Sequence, residues 1–178
     1  MTAPTPASEL ETLAICERIL GYLQTKRWSI AFAESLTAGY ACGTLARVSG
    51  ISAVLRGGIV AYDIPAKVEL LQVDEATARA CHAVSEATAR EMAEGARRRF
   101  AVEVACSTTG FAEAWETGEG ATHERFEPQA WIAVVGPDLA LTRRLDLRAE
   151  SDREACRRRV VFELLRTLEE RLAASTSA

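Results

Sequence analysis

A short apolar run, Ser29-Ile30-Ala31-Phe32, leads directly into Ala33-Glu34-Ser35-Leu36-Thr37-Ala38-Gly39 and then into a mostly apolar stretch from Tyr40 to Val48. The first run has the length and character of a buried strand, and the last that of a helix. A strand that hands over to a helix through small and hydroxyl-bearing residues leaves the N–H groups of the helix start facing a cleft. Such a start suits a phosphate or a developing oxyanion. Glu34, Ser35 and Thr37 add a carboxylate and two hydroxyls to the same turn. Capping the helix is the ordinary task of a serine or threonine there. Chemistry at this turn therefore needs support from elsewhere in the chain.

Other short-range signals extend the alternation. Ser8-Glu9-Leu10-Glu11 is a capping box that opens a helix to about Lys26, with Leu10, Leu13, Cys16, Ile19, Leu20 and Leu23 as its apolar stripe. Gly57-Gly58-Ile59-Val60-Ala61-Tyr62 reads as a second strand entered through a close-approach glycine pair. Pro65 fits the first turn of the next helix, Asp74 caps a short one, and Ser85 a longer one to about Arg99. Val102 to Ser107 is a third strand. Thr108 to Pro128 has no clear periodicity and reads as a long loop carrying Trp115, Glu119 and His123. Ala130 to Val135 and Leu139 to Leu145 flank the turn Gly136-Pro137-Asp138, which predicts an antiparallel hairpin. Ser151-Asp152-Arg153-Glu154 is a second capping box, opening a helix to about Leu172 with Val160, Val161, Leu164, Leu165 and Leu168 buried. The pattern predicts the α/β class: a three-layer α/β/α sandwich around a mixed, mostly parallel sheet of about five strands. Residues 8–173 form one domain between loose tails at 1–7 and 174–178. Ser35 and Tyr62 both fall at strand ends that feed helices, where ligands of such sheets sit.

Charge and composition narrow the function. A net charge of −4 over 178 residues argues against nonspecific nucleic-acid binding, which needs a basic face. No run approaches the roughly 18 apolar residues of a membrane span, and Met1 to Ser8 has no signal-peptide pattern, so a cytoplasmic location is expected. The five cysteines are scattered, and only two histidines accompany them. Free buried thiols fit better than a zinc site, and no metal or cofactor is expected.

Four motifs occur in order: A-E-S-L-T-A-G at 33–39, G-G-I-V-A-Y at 57–62 with Ala66-Lys67, A-V-S-E at 83–86, and Asp152-Arg153 followed by Arg157. Together they resemble the CinA C-terminal-domain family, whose enzymes are nicotinamide-nucleotide amidohydrolases of the PncC type. The resemblance spans nearly the whole chain, with no room for the additional N-terminal domain of longer members. It implies deamidation of nicotinamide mononucleotide to nicotinate mononucleotide and ammonia by Ser35, Lys67 and Tyr62. It also implies substrate contacts at Glu34, Thr37, Ala38, Gly39, Gly58, Thr109, Gly110, Arg153 and Arg157. The partner is then a small nucleotide-like amide, with assembly into a homo-oligomer left open.

The chemistry stands without the name. An amide is a poor electrophile, so a serine that attacks it must be activated by a neighbouring base. A lysine serves as that base only when desolvation or nearby positive charge brings its pKa toward working pH. Tyr62 would relay the proton or hold the leaving nitrogen. The N–H groups of Thr37, Ala38 and Gly39 would hold an oxyanion or a phosphate, with Arg157 and then Arg153 as phosphate partners. The chain departs from the family's usual forms at several places. Leu36 and Ala38 stand for a cysteine and a glycine, and Asp63-Ile64-Pro65 for Ser-Asn-Glu. Phe111-Ala112-Glu113-Ala114-Trp115 stands for the glycine-rich I-A-G-P segment, and Pro128-Gln129 for Gly-Thr. Glu113, Glu116 and Glu119 are poor neighbours for a phosphate. The alternative reading is a catalytically altered member that binds a small molecule or regulates.

Overall fold

The computed structural model describes residues 9–117 and 124–175. Ser8, the tail at 1–7, residues 176–178, Glu119 and His123 lie outside the described residues. The elements in order are α1 (Glu9–Lys26), β1 (Ile30–Glu34), α2 (Tyr40–Leu45), β2 (Leu55–Val60), α3 (Ile64–Leu71), α4 (Glu75–Ala80) and α5 (Glu86–Phe100). They continue as β3 (Val104–Phe111), β4 (Trp115–Thr117), β5 (Glu124–Phe126), β6 (Gln129–Gly136), β7 (Leu139–Asp146) and α6 (Arg153–Ala174). The main sheet has five strands in the order β2-β1-β3-β6-β7. β2, β1 and β3 are parallel, whereas β6 runs against β3 and β7 against β6. Four strands thus point one way, as a mostly parallel sheet requires, and β6 is the reversal that the hairpin predicts.

Side-chain alternation divides the sheet into two faces. Ile30, Phe32, Val104, Cys106, Ile132 and Val134 pack under α1, α2 and α6. Ala31, Ala33, Ala105 and Ala133 face the other way, beneath α5 and α3. Large residues on one face and alanines on the other let α5 lie close to the sheet. The approach is closest at Gly95, where a Cβ would sit 2.1 Å from the Leu71 carbonyl oxygen at the end of α3. We expect Gly95→Ala to cost about 2–3 kcal/mol in urea denaturation, because backbone rather than a flexible side chain must move. An unchanged midpoint would show that α3 and α5 separate freely.

Several boundaries differ from the sequence expectation for physical reasons. Leu10 is 81% exposed, and the buried stripe of α1 is Ile15, Cys16, Ile19 and Leu23. α6 is capped by Asp152, which accepts from the Ala155 amide at 2.8 Å, while Ser151 donates to Asp152. α6 also runs through Ala174 into the stretch expected as tail, and Lys26 Nζ donates to the Ser175 carbonyl at 2.8 Å. The largest difference is in the expected loop. β3 continues through Thr108, Thr109, Gly110 and Phe111 because these pair with Gln129 to Ile132 of β6. A small hairpin follows, with Trp115 opposite Phe126. Three-residue strands are too short to show a period, so only the cross-strand pairing reveals them.

Candidate active site

β1 and β2 are adjacent and parallel, so their C-terminal ends meet. β1 delivers Ser35 there, and β2 delivers Tyr62 and the start of α3. Asp63 caps α3 by accepting from the Ala66 amide at 2.8 Å, with Pro65 in the first turn. Lys67 follows one turn in and points back beneath the cap. Its Nζ lies 3.0 Å from Ser35 Oγ and 2.8 Å from the Tyr62 carbonyl oxygen. Lys67 is only 2% exposed. Burial pushes its amine down from the ordinary 10.5 to about 8, against a smaller opposing pull from Asp63. An amine near 8 is substantially neutral at mildly alkaline pH. Held through one N–H by the Tyr62 carbonyl, it can turn its lone pair to the serine hydroxyl.

This pair opens onto a cleft of about 560 Å³. A somewhat larger groove, about 680 Å³, lies between α5 and β7. Among its lining residues the Thr142 hydroxyl donates to the Glu86 carboxylate at 2.8 Å, and the other charged groups are exposed carboxylates and guanidiniums. The cleft beside Ser35 and Lys67 also takes in Thr109, Gly110 and Arg153. Its outer wall is aromatic. Phe111 and Trp115 stack at 5.6 Å between centroids, Trp115 and Phe126 at 5.3 Å, and His82 meets Trp115 edge-on at 5.0 Å. His82 and Ala83 both adopt left-handed backbone, with φ of 50° and 58°, a cost accepted only where surroundings enforce it. Thr109 supplies one restraint, its hydroxyl donating to the Ala83 carbonyl at 2.6 Å.

The tyrosine and the helix start behave differently from the sequence expectation. Tyr62 contributes its main-chain carbonyl to the pair, while its ring is 56% exposed and its hydroxyl accepts from Arg153. Neither Ser35 nor Thr37 caps α2. The Glu34 carboxylate does so from the end of β1, accepting from the amides of Gly39 and Ala41 at 3.0 Å and of Cys42 at 2.8 Å. Ala38 N–H donates to the Ser35 carbonyl and Tyr40 N–H to that of Thr37. The Thr37 hydroxyl bonds Thr108 in the interior. The amides expected to meet a ligand at 38 and 39 are therefore already satisfied. Among the described residues, those of Leu36 and Thr37 have no protein acceptor.

Arg157 donates to the Thr37 carbonyl at 2.9 Å and pairs with Glu154. Gly58 lies exposed on the edge strand β2 and faces Cys42 of α2, where a Cβ would come within 3.3 Å. Glu34, Thr37, Ala38, Gly39, Gly58 and Arg157 are not among the residues that line the cleft. All of them but Gly58 belong to the turn that carries Ser35 or bond to it. Asp63, Arg79, His82 and Glu113 do line the cleft, though none was named as a site residue from the sequence. For Glu113 and His82 the signal was there: one departs from the usual glycine-rich segment, and the other directly precedes the 83–86 motif.

The family model of the CinA C-terminal domain matches residues 12–172. The chain belongs to the CinA C-terminal-domain family. A CinA-like protein of Frankia casuarinae is 36% identical over 155 residues, covering 87% of this chain and 34% of its own length. One of Anaeromyxobacter dehalogenans is 33% identical over 187 residues, covering 94% and 44%. The chain thus spans less than half the length of the curated relatives it matches. Solved structures match end to end. A CinA superfamily protein of Klebsiella pneumoniae gives a TM-score of 0.79 at 28% identity, with 92% of this chain and 98% of that one covered. One from Escherichia coli gives 0.75 at 26%, covering 94% and 92%. Two departures from the family's usual motifs have a local reading in this CinA domain. Ala38 holds the left-handed conformation (φ 49°) that a glycine would adopt without strain. Asp63 still caps α3 where a serine usually stands.

Proposed function

We propose that this CinA domain is a serine–lysine amidohydrolase acting on the carboxamide of a nicotinamide nucleotide, nicotinamide mononucleotide being the substrate to try first. The observation that carries the reading is the 3.0 Å contact between Ser35 Oγ and a buried Lys67 amine held near 8. The neutral amine takes the serine proton as Oγ attacks the amide carbon. The resulting ammonium returns that proton to the departing nitrogen, which leaves as ammonia, and water activated by the same amine then cleaves the acyl ester. The Tyr62 carbonyl keeps the amine oriented in both half-reactions. The Leu36 amide, directly after the nucleophile, is the donor assigned to the oxyanion. The flat rings of Phe111 and Trp115 supply stacking area for an aromatic amide.

The test is ammonia release from nicotinamide mononucleotide by the full chain between pH 6 and 10. Only the neutral amine is a base, so kcat/KM is expected to rise about tenfold per unit below pH 8 and to level above it. A rate independent of pH across that range would remove Lys67 from the base role. No ammonia from this or other aromatic amides would favour a binding or regulatory module on the same scaffold.

A further inference from the structure

We propose that Glu113 sets the charge preference of this cleft: its carboxylate competes for Arg153 with the anionic group of a substrate, narrowing the advantage that Arg153 alone would give a phosphorylated amide over the same amide without its phosphate. The inference deepens the amidohydrolase reading and depends on it for the activity readout; the charge argument itself rests on geometry. Arg153 opens α6, and its Nη1 lies 3.2 Å from Glu113 Oε2 while Nη2 donates to the Tyr62 hydroxyl. All three residues line the cleft that holds Ser35 and Lys67. The other guanidinium of the lining, Arg79, is fastened to Glu75 by two bonds at 2.9 and 2.6 Å. Lys67 is committed to Ser35 and the Tyr62 carbonyl, and Asp63 adds a negative charge at the α3 cap. Arg153 is therefore the cleft cation placed to meet a phosphate, and it already carries a carboxylate.

The strength of the effect follows from exposure. Glu113 and Arg153 side chains are 64% and 46% exposed, so their ion pair is weak and a dianion can displace the carboxylate. Displaced or not, Glu113 remains within the cleft as a like charge to a phosphate. The pair presents the substrate with a net charge near zero where Arg153 alone would present +1. An uncharged ribose meets neither the attraction nor the repulsion.

The experiment compares the native chain with Glu113→Gln, Arg153→Gln and the double variant. Nicotinamide mononucleotide and nicotinamide riboside are the probes, read by ammonia release and by titration calorimetry at low ionic strength. In Glu113→Gln the KM and Kd of the mononucleotide, relative to those of the riboside, are expected to fall about three- to tenfold. The gain should shrink at about 0.5 M salt, where charges a few ångströms apart are screened. It should vanish when Arg153 is also replaced. An unchanged ratio, or a gain that survives without Arg153, overturns the proposal. Calorimetry separates the two readings. Mononucleotide binding that tightens in Glu113→Gln without ammonia release sinks the amidohydrolase and keeps the charge gate. Absence of binding by either compound to both native chain and variant overturns the gate.

Discussion

Ser35→Ala is expected to reduce ammonia release from nicotinamide mononucleotide by at least about 10³-fold while leaving the fold in place. The size of the loss follows from the role. An amide does not yield to a weakly placed water at neutral pH, and among the described residues no other hydroxyl lies in hydrogen-bond contact with the buried amine. Thr109, which also lines the cleft, has its hydroxyl bonded to the Ala83 carbonyl. The structural cost should be about 1 kcal/mol, because Lys67 loses one partner and keeps the Tyr62 carbonyl. Stability is checked by denaturation and activity by a coupled ammonia assay on the same preparation. A variant that retained more than a tenth of native activity would move the nucleophile elsewhere.

Lys67→Met is expected to act in opposite directions on activity and stability. Loss of the base should cost about 10²–10⁴ in kcat/KM. Stability at pH 7 should rise, by up to about 3 kcal/mol, since one pKa unit corresponds to about 1.4 kcal/mol. The amine sits near 8 in the folded protein and at about its ordinary 10.5 when unfolded. The unfolded chain therefore binds the proton more tightly, and the native protein is penalised fully below pH 8. Native stability should climb between pH 8 and 10.5 as the unfolded lysine also loses its proton. The advantage of the methionine variant should disappear over the same window. Parallel urea titrations at pH 7 and above 10 test this. A variant less stable than the native chain at pH 7 would mean that the buried ammonium is compensated by partners other than those described. The trade is the expected one at a site where a charge is buried for use rather than for stability.

The two predictions depend on a site that was partly legible without coordinates. Ser35 could be named because it lies in a locally determined strand-to-helix turn, and Lys67 because the family resemblance places a lysine in the helix that Pro65 opens. Local rules of this kind operate over a few residues, so they are written into the order of the chain. Asp74 and Ser85, for example, cap α4 and α5 by bonding amides three residues on.

What only the tertiary structure decided are matters of which group reaches which. Glu34 and the hydroxyls of Ser35 and Thr37 are all plausible caps for α2, and the direction of the β1 terminus gives that task to the carboxylate. Tyr62 supplies its carbonyl to the lysine because the backbone leaving β2 passes directly over Lys67, while the ring swings out to Arg153. Arg157 was the expected phosphate partner over Arg153, yet the two are separated by just over one helical turn and face different surroundings. The helix turns Arg157 onto α2 and Arg153 onto the cleft. The aromatic wall joins residues of α4's end, β3 and the small hairpin, whose three-residue strands hold no periodic signal. Sequence alone determined the fold class and the capped helix starts, because turns, caps and strand–helix alternation are short-range; Ser35 and Lys67 were named together through the family resemblance, and only the fold brings them into contact. Long-range packing chose among several chemically equivalent groups, and that choice closed the start of α2 with Glu34 and set the Ser35 hydroxyl against the buried Lys67 amine beside a cleft that Glu113 also lines.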